Sequence, residues 1–168
     1  MSCSHDRKDP PARRGRNAAR LADLQADDTD KILLTVARHF FCALARPGQD
    51  GRRLAVSIAE LSFGPGRGTA MAAALYRAIE AMRMARSDAF FYNDPNCPGC
   101  SRQLTEAELY LFQTLRSVRL GRTSAASAHA MLLCEGNDYA PFLDAAAQVF
   151  RAASDAQWQQ DTGSWQVD

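Results

Sequence analysis

Apolar residues recur along this chain mostly at intervals of three and four, the spacing that lines one face of an α-helix. Between Lys31 and about Arg46 the face is Leu33, Val36, Phe40, Ala43 and Leu44. Asp28 or Asp30 can cap this helix and Pro47-Gly48 stops it. Leu54 to Phe63 could be a short helix or a strand, and Leu54, Ile58 and Leu61 match the helical period, which favours a helix. From Thr69 to about Arg86 a stripe of Met71, Leu75, Ile79 and Met82 predicts a buried third, whose early alanines allow a neighbour's backbone to come close. Thr105 followed by Glu108 fits a capping box, so a helix should start there, carry Leu109, Phe112, Leu115 and Leu120, and end at Gly121. Two further helices are expected, from Thr123 or Ser124 to about Glu135 and from Tyr139 to about Ala153. Only Ala89-Phe90-Phe91-Tyr92 reads as a strand. The pattern predicts an all-α, single-domain bundle of five or six helices with at most a short β-hairpin.

Composition divides the chain further. Residues 1–27 hold few large apolar groups and read as a mobile basic arm, 28–153 as the helical domain and 154–168 as a frayed tail. The 20 Lys and Arg against 19 Asp and Glu leave a net charge of +1, which is no electrostatic match to nucleic acid or an anionic membrane as a whole. The arm is different. Arg13, Arg14, Arg16 and Arg20 could contact phosphates in a salt-dependent way, with Arg116, Arg119 and Arg122 extending the footprint; the alternative is a solvated tail. Five cysteines without regular spacing, and no apolar run near the N-terminus long enough for a signal peptide or a span, lead us to expect a reducing cytoplasm.

The densest local chemistry is Cys97-Pro98-Gly99-Cys100. Pro and Gly force a tight turn that holds both thiols together, the arrangement a zinc knuckle uses. A closed zinc site needs two more ligands. His39 and Cys42, one turn apart on the first helix, are the best remaining pair, whereas His129 and Cys134 are spaced less well. The alternative is that Cys42 and Cys134 are small buried apolar groups.

The segment FFYNDPNCPGCSRQLTEAELYLF also resembles the active-site region of thioredoxins and glutaredoxins, in which a strand delivers Cys-x-x-Cys to a helix start. That resemblance implies thiol-disulfide chemistry at Cys97 and Cys100, although the residues upstream read as helices instead of a β-α-β unit. The glycines at 64, 66 and 68 lack the Gly-Lys-Ser/Thr ending of a phosphate loop, and the helix after Gly121 lacks the side chains that would read DNA. The expectation is a small accessory or regulatory protein that binds a protein partner, with zinc as a staple. A thiol redox protein and nucleic-acid binding through the arm are the alternatives.

Overall fold

Among the described residues the helical spacing is realised in six α-helices, joined by connections of a few residues except for one long segment over 86–105. The computed structural model describes residues 17–163 apart from 47 and 49, with side chains as far as 151. In chain order the elements are β1 (Asn17–Arg20), α1 (Asp28–Ala45), α2 (Gly51–Phe63), α3 (Pro65–Ala85), β2 (Gln103–Thr105), α4 (Glu106–Arg119), α5 (Thr123–Leu133) and α6 (Ala140–Gly163). Single 3-10 turns follow β1 at Leu21–Leu24 and precede β2 at Cys100–Arg102. The fold is an all-α bundle carrying one small antiparallel hairpin, β1 against β2.

The core is built on α3. Its stripe of Met71, Leu75, Ile79 and Met82 is buried, as are Ala72, Ala74 and Ala78 between them. Each fully buried large side chain of this kind stabilises the fold by about 1.5–3 kcal/mol. α3 packs along α6 and α2, α1 packs on α2, and α4 on α5. Two glycines set how closely the early helices approach. A Cβ on Gly68 would lie 2.3 Å from the carbonyl oxygen of Ala59 in α2, and one on Gly51 would lie 2.7 Å from that of His39 in α1. The glycine-rich stretch is therefore the first turn of α3, with Pro65 at the helix start and Gly68 serving the α2–α3 contact.

Three segments differ from expectation. Residues 17–27, assigned by composition to the arm, form β1 and a 3-10 turn, because Leu21, Leu24 and Ala26 pack on a second small core of Leu34, Leu104 and Phe112. Residues 89–92 form no strand: their alternation places Phe90 and Tyr92 on Phe41 of α1, at 4.3 and 5.5 Å between ring centroids, and leaves Phe91 outside. A period of two marks a half-buried extended segment, and here no neighbouring strand pairs with it. The last helix runs past Ala153 to Gly163. Among the described residues no helix is long and apolar enough to cross a membrane.

Candidate binding groove and the Cys-x-x-Cys turn

Arg38 stands on α1 one turn after Leu34 and one before Phe41, on the helix side that faces inward, and is 2 % exposed. A buried guanidinium must be paired, and its partner is Glu108, itself 0 % exposed. Nε donates to Glu108 Oε1 at 2.7 Å and Nη2 to Oε2 at 3.1 Å. Nη1 donates to the carbonyl of Ser101 at 2.7 Å and Nη2 to that of Gln103 at 2.6 Å. Four hydrogen bonds thus occupy the five-donor guanidinium.

Glu108 serves three neighbours at once. Besides Arg38 it accepts from the Thr105 amide at 2.9 Å, completing the capping box, and from the Asn93 amide at 3.0 Å. The Asn93 side chain donates to the Gln103 carbonyl at 2.8 Å and to Asn17 Oδ1 at 3.0 Å, which brings β1 into the same network. Thr105 Oγ1 accepts from the Glu108 amide and donates to the Phe91 carbonyl. Two chain segments are pinned to α1 and α4 in this way, one at 91–93 and the other at 101–105.

The Cys-x-x-Cys turn hangs between those pins. Asn96 donates its amide to Asp94 Oδ1 at 2.8 Å, Cys97 to the Asp94 carbonyl at 3.2 Å, and Ser101 to the Cys97 carbonyl at 2.9 Å. The Cys100 amide points at Cys97 Sγ, 3.4 Å away. An amide aimed at sulfur is the contact a tight C-x-x-C turn is expected to provide. Both cysteines are half-buried.

A groove of about 830 Å³ opens where this turn, α1 and the β1 segment meet. Arg20, Lys31 and Arg102 edge it, and Leu21, Leu34 and Pro95 contribute apolar surface. Arg20 and Arg102 are exposed and make no ion pair among the described residues; Lys31 pairs with Asp28 at 3.2 Å on the surface, an interaction of little strength. No carboxylate and no aromatic ring lines the groove among the described residues. Its volume falls in the range of ordinary ligand clefts.

The residues named from the sequence are dispersed. His39 is buried on α1 and its pKa is lowered by that burial, against an opposing pull from Asp94. Cys42 is half-buried, hydrogen-bonded with the Tyr92 hydroxyl, and pushed up in pKa by burial. Among the described residues no three or more His, Cys, Asp or Glu side chains are grouped so that they could hold a metal ion. His39 and Cys42 are thus not gathered with Cys97 and Cys100 as ligands of one ion. Cys134 is fully buried with its thiol pKa raised, and His129 Nδ1 has no hydrogen-bond partner. Arg13, Arg14 and Arg16 lie outside the described residues, and Arg20 stands on β1 at the groove. Arg116 and Arg119 face Asp30 and Asp27: Arg119 is 2.5 Å from Asp27 and 2.9 Å from Asp30, while Arg116 holds the Leu24 carbonyl at 2.7 Å. Two cations of the extended footprint are therefore engaged internally.

The sequence marks Glu108 as a capping-box carboxylate but does not single out its second partner, Arg38. The signal was a lone arginine placed between apolar residues at helical spacing, which demands a buried acid elsewhere. Comparisons with protein-family models, with curated proteins and with solved structures found no match.

Proposed function

We propose that this protein is a binding module whose groove takes an extended, acidic and aliphatic segment of a partner protein. The observation that carries this reading is the groove itself: among the described residues, cations stand along its edge, Arg20 and Arg102 make no ion pair, and no carboxylate interrupts the apolar surface between them. Carboxylates of such a segment would meet the two guanidiniums, and its aliphatic side chains would cover Leu21, Leu34 and Pro95. Arginine is suited to this because its planar fork meets a carboxylate bidentately. The absence of aromatic rings among the lining residues favours a peptide over single-stranded nucleic acid, which is held by stacking. Residues 1–16, with five Lys or Arg and two Asp, carry the wrong charge to fill the groove.

The test is titration of the full chain with short dye-labelled peptides of glutamate and leucine, against the same peptides with lysine for glutamate and against an oligothymidine. Saturable binding of the acidic set, weakened by salt and lost in Arg20→Glu/Arg102→Glu, is expected. Equal binding of both peptide sets, or preference for the oligothymidine, would overturn the reading.

A further inference from the structure

Cys97 and Cys100 differ from the other described cysteines in one respect that chemistry can use. Cys134 is buried in the core and Cys42 lies on α1, each alone, whereas Cys97 and Cys100 are both half-buried on one turn, with the Cys100 amide 3.4 Å from Cys97 Sγ. The same turn is part of the groove, through Pro95 and Gly99. Its flanks are immobilised by Glu108 and Arg38 at Asn93, Ser101 and Gln103, so a covalent change within it cannot be absorbed further along the chain.

We infer that Cys97 and Cys100 form a reversible disulfide that reshapes this side of the groove and so couples partner binding to the thiol-disulfide balance of the surroundings. The oxidant is a low-molecular-weight disulfide of the glutathione class. The Cys97 thiolate attacks one sulfur of that disulfide and expels the first thiolate, leaving a mixed disulfide on Cys97. The Cys100 thiolate then attacks Cys97 Sγ and expels the second. Two electrons pass from the cysteine pair to the oxidant, which leaves as two thiols carrying the two protons. Cys97 is the first nucleophile because it is the sulfur that receives the amide.

The control of binding rests on the groove reading; the thiol chemistry does not. The full chain is equilibrated in glutathione buffers of graded potential, quenched by alkylation and mapped by peptide mass spectrometry. Cys97 and Cys100 should oxidise together while Cys42 and Cys134 stay reduced, and Cys100→Ser should accumulate glutathione on Cys97. The reduced and oxidised forms are then titrated with the glutamate-leucine peptides. Their affinities should differ by at least about fivefold, the lower end of ordinary coupling between sites. Oxidation spread over all the cysteines, or none at Cys97 and Cys100, would overturn the disulfide. A clean disulfide with equal affinities would overturn its control of the groove. Failure of both forms to bind any acidic peptide would count against the groove alone.

Discussion

The seam between α3 and α6 and the segment from Asn93 to Thr105 are held to the molecule by different means. The seam is apolar, with Met71, Leu75, Ile79 and Met82 of α3 buried in one continuous core with Phe142, Ala146 and Val149 of α6. The segment is irregular and depends on directed hydrogen bonds converging on one carboxylate. Dispersion and burial are shared among many atoms, so the seam degrades by increments. The polar junction has a single point of failure.

Substitution tests that contrast, and the largest effect should fall on the junction. Glu108→Ala leaves the Arg38 guanidinium buried without its counter-charge and should cost about 3–5 kcal/mol in urea unfolding. Replacing both members, Arg38→Met with Glu108→Leu, should recover only part of this, because the Ser101 carbonyl and the Asn93 and Thr105 amides lose their partners too. Full recovery would mean that the ion pair is ordinary packing. In the helical layer Gly68→Ala comes next: its Cβ meets the Ala59 carbonyl, and overpacking of this kind should cost about 1–3 kcal/mol by the same measurement.

A smaller effect is expected from His39. Burial lowers its pKa below the ordinary value of 6.5, so the unfolded chain binds the proton more readily than the folded one. Its neutral form contributes stability that is complete above pH 6.5 and is lost as pH falls toward the folded pKa. The difference in unfolding free energy between wild type and His39→Asn, followed from pH 8 to pH 5, should therefore shrink as the solution is acidified. A flat difference would remove His39 from the pH response. Least of all in stability, within about 0.5 kcal/mol, should be Gly99→Leu, since a Cβ there meets nothing within 4 Å. This variant should fold normally and yet lose binding of the acidic peptides, because Gly99 lines the groove.

Much of the helical layer was legible in the sequence because it is local. The capping box at Thr105 and Glu108 and the stripe on α3 each depend on residues a turn or two apart. The groove was not legible. It joins β1, α1 and the 94–103 segment, and its cations, Arg20, Lys31 and Arg102, are far apart in sequence. The Arg38–Glu108 pair spans 70 residues, and no short-range pattern announces a partner at that distance. The Cys-x-x-Cys turn was visible from Pro98 and Gly99, but which groups would lie around it depended on long-range packing.

Glu108 closes a helix end, clamps an arginine from α1 and fixes Asn93 beside the turn, so the groove takes its shape only after α1 and α4 have met. Circular dichroism in the far ultraviolet reports helix content and would be nearly blind to its loss. A preparation could keep its full helical spectrum while the groove had collapsed in every molecule. Quality control of this protein therefore belongs with a probe of the 91–105 backbone, such as amide hydrogen exchange at Asn93 and Thr105.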